Sequence, residues 1–193
     1  MVWIADVARD ASMPLDQVHV ALYGYYPQCA AADARPYVWR LMSPDRMLIA
    51  SDLRPSANSA REVRAQRGMT YDFRATIKRV RNVGGVTKRP DGTARPRNAR
   101  AVVMTDHDEI KARVVRWAAD RGGDVRYVRA ENMREIRLGH IRLPICDIIG
   151  KVYVSDADAF DSLLRSGGPG TGKAYGLGLW YLPEIMEVGH AAA

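Results

Sequence analysis

Residues Ile148–Leu182 read IIGKVYVSDADAFDSLLRSGGPGTGKAYGLGLWYL, and the order of elements within this stretch decides the fold. IIGKVYVSD has the β-branched, alternating character of a strand. DADAFDSLLRS predicts a short helix capped from Ser155 or Asp156. A glycine loop follows, and then YGLGLWYL alternates as a closing strand. Gly167, Gly172 and Lys173 satisfy the G-x-x-x-x-G-K part of a nucleotide-binding loop, but Ala174 stands where a Ser or Thr must hold magnesium. Such a loop also follows a strand and opens a long helix, whose N-terminus receives the phosphates. Here a helix precedes the loop and a strand follows it, so the nucleotide reading fails. What remains is a turn between the last helix and the last strand of a ferredoxin-like half. Two uses stay open for it: a tight connection whose glycines supply positive φ, or a surface that meets another kind of phosphate.

Working back along the chain, YDFRATIKRV predicts a strand, and DHDEIKARVVRWAADRGG an amphipathic helix. Asp106 or Asp108 stands near its N-cap, Ile110, Val114 and Trp117 share one face, and Gly122-Gly123 closes it. DVRYVRA is a further strand. Together these give strand, helix, strand, strand, helix, strand. The N-terminal third repeats the order in reduced form. VWIADVA reads as a strand, and LDQVHVALYGYY as a helix with Leu15, Val18, Leu22 and Tyr25 at helical spacing, stopped by Pro27. PYVWRLMS and RMLIASDL form two strands around a Pro44-Asp45 turn, followed by a short strand near Glu62–Gln66. Residues 51 to 68 are too short for a second helix. The expected architecture is α+β, with two tandem ferredoxin-like (RRM-like) domains, the first trimmed. The expected domains are residues 1–67 and 68–193, the second carrying a basic loop at 78–100 and a glycine-rich loop at 167–173.

Charge narrows the functional classes. The chain has 29 Lys and Arg against 22 Asp and Glu, a formal net charge of +7, which points to an anionic partner. The excess is local. RATIKRVRNVGGVTKRPDGTARPRNAR, residues 74–100, holds nine basic residues and one acid, Asp91. Gly84-Gly85, Pro90 and Pro96 forbid a regular helix through it. Such a segment suits RNA, whose phosphates and bases accept guanidinium contacts and stacking. Lys78, Arg79, Arg81, Lys88, Arg89, Arg95, Arg97 and Arg100 are the candidate RNA-binding cations, joined by Lys173, Gly170 and Thr171 of the glycine loop. Apolar residues at amphipathic helical spacing are missing from the basic segment, which argues against a membrane surface. Two cysteines and four scattered histidines provide neither a disulfide framework nor metal-ligand spacing. With no leader-like or spanning segment, a cytoplasmic protein with no membrane partner is expected.

These stretches resemble the CasE family, the Cascade-associated endoribonucleases that process CRISPR precursor RNA. The C-terminal GKVYVSDADAFDSLLRSGGPGTGKAYGLGLWYLPE is similar to the family's signature. There a strand and short helix lead into a G-x-G-x-x-K loop and then a strand of alternating glycines and leucines. Gly168, Gly170, Lys173, Gly176 and Gly178 fit those places. LDQVHVALYGYYPQCAAADARPYVWRL resembles the family's first helix and second strand, YDFRATIKRV its middle strand and IKARVVRWAADRG its central helix. The resemblance runs collinearly over nearly the whole chain.

The resemblance implies a metal-independent nuclease without a cofactor. It would bind a CRISPR repeat hairpin, cut precursor RNA at the hairpin's 3′ base, leave a 2′,3′-cyclic phosphate and work beside other Cascade subunits. It also places the catalytic histidine on the first helix, at His19. The RNA's own 2′-hydroxyl is the nucleophile, so a histidine that gives or takes a proton near neutrality suffices for the chemistry. On a helix Asp16, His19 and Tyr23, at i, i+3 and i+7, share a side. The family often has a tyrosine three residues before the histidine, where this sequence has Asp16. Either the carboxylate orients His19 or Tyr23 substitutes from the next turn. The alternative function is a non-catalytic subunit that binds the RNA hairpin within a ribonucleoprotein complex.

Overall fold

The computed structural model describes residues 1–29, 36–83, 86–88, 94–96, 100–138, 141–169 and 172–187. The first half builds β1 (Val2–Ala8), α1 (Leu15–Leu22), β2 (Tyr37–Ser43), β3 (Arg46–Ser51) and β4 (Arg61–Val63). Their sheet order is β2-β3-β1-β4, antiparallel throughout, which is the ferredoxin-like order. The second helix of the motif is absent, as its short span predicted. Ala57 and Ala60, between β3 and β4, pack on the core beneath α1 instead.

The strands of this sheet are buried on both faces, and their alternation shows how. On β1, Val2 and Ile4 point to one side while Ala5 and Val7 point to the other, where Val18 and Leu22 of α1 cover them. On β3, Leu48 and Ala50 share the first side and Met47 and Ile49 the second. Burial on both faces explains why β3 reads as an unbroken apolar run, MLIA.

The second half runs β5 (Thr70–Lys78), a basic arm, α2 (His107–Ala119), β10 (Gly123–Leu138), β11 (Ile141–Val154) and α3 (Ala157–Ser166). The arm consists of β6 (Val80–Val83) paired with β9 (Arg100–Val103), and β7 (Val86–Lys88) paired with β8 (Ala94–Pro96). β10-β11-β5 form the second sheet. Asp106 and Asp156 cap α2 and α3, each accepting from the amide two residues on. α3 lies against β1, β2 and β3 of the first sheet, and Phe160, Leu163 and Leu164 join Val2, Ile4, Leu48 and Ala50 in one core. The helix thus covers the face that α1 leaves bare.

Two expectations need correcting. β10 and β11 form a hairpin of 16 and 14 residues, far longer than the two strands read from sequence. The segment YGLGLWYL is not a regular strand. Lys173–Tyr175 forms a 3-10 turn, and in place of a continuous ladder one β-bridge, Arg74 to Tyr181, pairs the segment with β5. The reason is conformational: Gly176 and Gly178 have φ of 76° and 94°, which an extended strand does not accommodate. The segment nevertheless fills the fourth-strand place, with Gly178 N–H donating to Thr76 C=O (2.8 Å) and Tyr181 N–H to Arg74 C=O (2.8 Å). A short helix, α4 (Pro183–Met186), follows. No helix among the described residues is long and apolar enough to cross a membrane.

Candidate functional site

The first helix and the glycine turn, 150 residues apart in sequence, meet in space. α1 abuts the Lys173–Tyr175 turn, which also touches β2. Gly176 makes this approach possible: a Cβ there would lie 2.8 Å from the Trp39 ring. His19 is half-buried on α1, and Lys173 is half-buried in the turn facing that helix. A histidine and a lysine are thereby brought to one junction between the two sheets.

Tyr37, on β2, holds this corner together. Its hydroxyl donates to the His19 carbonyl. Its ring stacks on Tyr26 (5.2 Å, 15°) and meets Tyr23 edge-on (5.6 Å, 71°). The helix tightens to a 3-10 turn at Tyr23–Tyr25, where the Tyr23 N–H reaches back to Val20 and Ala21. Arg9 secures the other end of the helix. Its guanidinium donates to the Met13 carbonyl just ahead of α1 and to the Pro44 carbonyl (2.6 Å) in the β2–β3 turn. Neither residue announces itself by spacing. Tyr37 sits among the core aromatics of PYVWRL, and Arg9 looks like any surface cation.

The three residues expected on one helical side are placed differently from one another. Asp16 is exposed in the first turn of α1, where a carboxylate complements the helix dipole. The His19 Nδ1 is buried and has no partner among the described residues, so Asp16 does not orient it by a hydrogen bond. Tyr23 leaves the regular helix and turns its half-buried ring toward Tyr37.

The basic cations divide into two groups. At the root of the arm the side chains serve the protein. Arg79 donates to the Met104 carbonyl (2.9 Å), and Arg81 pairs with Glu109 (2.7 Å). Arg113 of α2, not foreseen in the sequence, donates to the Val80 carbonyl (2.6 Å). Lys78 ends β5 and is half-buried. Further out, the backbone places Lys88 on β7, Arg95 on β8 and Arg100 on β9. Arg89, Arg97, Gly170 and Thr171 lie outside the described residues. The start of the glycine loop is a packing device. Gly167 to Pro169 are buried, the Gly168 N–H donates to the Gly178 carbonyl (2.5 Å), and Trp117 Nε1 donates to the Gly167 carbonyl (3.1 Å). The Gly168 amide is thus spent on the fold, and Lys173 stands in the turn that abuts α1.

No curated protein sequence matches this chain. By fold it is similar to Cas6e from Escherichia coli K-12, with 20% identity, 93% of this chain and 98% of that one covered, and a TM-score of 0.67. It is also similar to Thermus thermophilus Cse3 bound to an RNA representing a pre-cleavage complex (18% identity, 94% and 98% covered, TM-score 0.71). A chain of E. coli Cascade bound to a PAM-containing double-stranded DNA target matches at 14% identity, 94% and 97% coverage and a TM-score of 0.57. The model of a protein family described as CRISPR associated protein matches residues 4–183. The chain therefore belongs to the CRISPR-associated protein family, as the CasE resemblance of its glycine signature and first helix implied.

Proposed function

We propose that the protein is an endoribonuclease that binds a CRISPR repeat hairpin and cuts precursor RNA, without a metal, by attack of the RNA's own 2′-hydroxyl to leave a 2′,3′-cyclic phosphate. The observation that supports this reading is the meeting of α1, which carries His19, and the Lys173–Tyr175 turn. In this reading His19 transfers the proton, as base toward the 2′-hydroxyl or as acid toward the leaving 5′-oxygen, for a gain of roughly 10²–10⁴-fold. Lys173 neutralises the phosphate that gains charge in the transition state. Tyr23 and Asp16 flank the site, Tyr23 as the phenol that replaces the family's tyrosine. The arm at 78–100 grips the hairpin through its outer cations, since its root cations are engaged within the protein. The likeness to RNA-bound Cse3 supports the substrate class, and other Cascade subunits are the proposed partners. Domains at 1–67 and 68–193 are proposed on the same footing.

One observation favours the alternative, a non-catalytic hairpin-binding subunit: no described group orients His19 through Nδ1. The two readings separate in one experiment. Wild type and His19→Ala are incubated with repeat RNA in excess EDTA. Cleavage by wild type alone, at least 10²-fold faster than by the variant, supports the nuclease. Equal tight binding with no cleavage by either protein supports the structural subunit.

A further inference from the structure

The cleft between the two sheets holds positive charge that the protein does not compensate. Arg40 is half-buried on β2; its Nη1 donates to the Arg74 carbonyl (3.0 Å), and its guanidinium lies 5.6 Å from the centre of the Tyr181 ring. Among the described residues no carboxylate lies within ion-pair distance of Arg40 or Arg74. Two neighbouring cations on the same sheet are matched: Lys151 with Asp72 (2.6 Å) and Arg134 with Asp147 (2.6 Å). Burial pushes the Arg40 pKa down, and the Arg74 cation pushes the same way against the pull of Asp147. A guanidinium does not escape by losing its proton, so a desolvated one without a counter-ion favours an incoming anion.

The surroundings give that anion a shape. One hollow of about 380 Å³ is bordered by Leu15 of α1, Arg40, Thr76, Asp147 and Tyr175. A second, of about 640 Å³, is bordered by Arg74, Lys151 and Tyr127 together with the carboxylates of Asp72, Glu131 and Glu184. Of the acids, Asp72 is paired with Lys151 and Glu131 with Arg129. The contact between Arg40 and Arg74 is the ridge between them. The first hollow starts at the first turn of α1 and at the Lys173–Tyr175 turn, so a strand leaving the His19 junction enters it and reaches Arg40 next. The Arg40 fork is held on one edge by the Arg74 carbonyl and backed by the Tyr181 ring. Its remaining N–H donors match the geometry of a phosphate, and little freedom is lost on binding.

We propose that Arg40 and Arg74 form a phosphodiester-binding subsite that holds the single-stranded RNA flanking the hairpin. The inference rests on the RNA reading above and adds to it a second segment of the RNA. The two arginines differ usefully. Arg40 also ties β2 to β5 through its hydrogen bond, whereas Arg74 contributes only its backbone carbonyl to that tie. Replacing the Arg74 side chain therefore removes charge from the cleft without cutting the link.

The test uses three RNAs, each with a 2′-deoxy nucleotide at the hairpin's 3′ base so that the proposed nucleophile is missing and no flank is cut off: the repeat hairpin alone, the hairpin with a 5′ single-stranded flank, and the hairpin with a 3′ flank. Binding of each is followed by fluorescence anisotropy over a range of salt for wild type, Arg40→Gln and Arg74→Gln, with thermal melting as a check on folding. The expected result is that one flank strengthens wild-type binding and that each variant loses this increment. The loss is about tenfold in affinity, with a salt slope for the flanked RNA lower by about 0.7 and hairpin-only binding unchanged. Should Arg40→Gln melt early, Arg74→Gln decides. Equal binding of all three RNAs by wild type overturns the subsite, as does an equal loss on hairpin and flanked RNA in the variants. Failure of wild type to bind the hairpin alone overturns the RNA reading itself, a distinct outcome.

Discussion

The two halves share one strand order and solve opposite problems. Both sheets place their strands as second, third, first, fourth in the ferredoxin-like sense, although the last place in the second sheet is filled by a glycine-broken segment. The first sheet has lost a helix yet buries both of its faces, one under α1 and one against α3 of the other half. The second sheet keeps both helices and leaves the outer face of β5 and β11 to the cleft. What a small half lacks in helices is supplied by its neighbour, and the neighbour's open face becomes available for a ligand. The first half is therefore a fold that is completed from outside, and His19 sits on the one helix it keeps.

The largest effect is expected in the core that the two halves share. Trp180 is buried, stacks on Phe73 (4.2 Å, 13°) and meets Phe160 of α3 edge-on (6.4 Å). Trp180→Ala is expected to cost about 3–5 kcal/mol. Denaturant unfolding followed by probes in both halves should show one transition moved to lower denaturant. Two separate transitions in wild type would break the comparison, since each half would then be stable alone. A smaller effect is expected inside the first half. Tyr37→Phe removes the donor to the His19 carbonyl and should cost about 1 kcal/mol; under the proposed function cleavage falls further than stability, because α1 loses an anchor at the residue proposed to transfer the proton. Wild-type cleavage by Tyr37→Phe would separate the packing role of that ring from any role in positioning.

At neutral pH the two halves look alike in the last comparison, and alkaline pH distinguishes them. Burial in the second half pushes the Cys146 thiol from 9.0 up to about 11. Burial in the first half pushes the Tyr26 phenol from 10.0 up to about 12, against the hydrogen bond to Ser51, which pulls it down. For both groups the folded state holds the proton more tightly. Each contribution is therefore complete below the unfolded value and disappears as pH rises, between about 9 and 11 for Cys146 and about 10 and 12 for Tyr26. Cys146→Ala and Tyr26→Phe should each flatten the alkaline decline of stability within its own window. A profile unchanged by both substitutions would show that neither proton is coupled to folding.

Much of this architecture was legible in periodicity. α2 announced itself through Asp106, Ile110 and Val114, and α3 through its Asp156 cap, because local hydrogen bonds and one-sided burial act over neighbouring residues. The trimmed first half was legible from the short span between β3 and β4. The extension of β10 and β11 was not, since ENMREIRL has no strict alternation, with a register shift between Glu131 and Arg134, and owes its strand to pairing across the hairpin. YGLGLWYL misled for the opposite reason: its apolar alternation is real, but two glycines at positive φ break the extended chain. Of the residues proposed for the site, His19 and Lys173 were named through the family's motifs. Arg40, Arg9 and Tyr37 were not, because their partners lie on other strands and turns and leave no spacing to read. The arm's cations read alike in sequence, while the structure commits Arg79 and Arg81 to its root.

The packing of α3 against the first sheet sets a timetable for synthesis. β4 ends at Val63, and α3 does not end until Ser166, about 100 residues later. At roughly 5–20 residues per second, the apolar face carrying Val2, Ile4, Leu48 and Ala50 waits about 5–20 s on the ribosome for its cover. During that interval the nascent first half offers an uncapped hydrophobic surface to chaperones and to other nascent chains. A change that slows translation between β4 and α3 would lengthen this exposure without altering a single contact of the finished molecule.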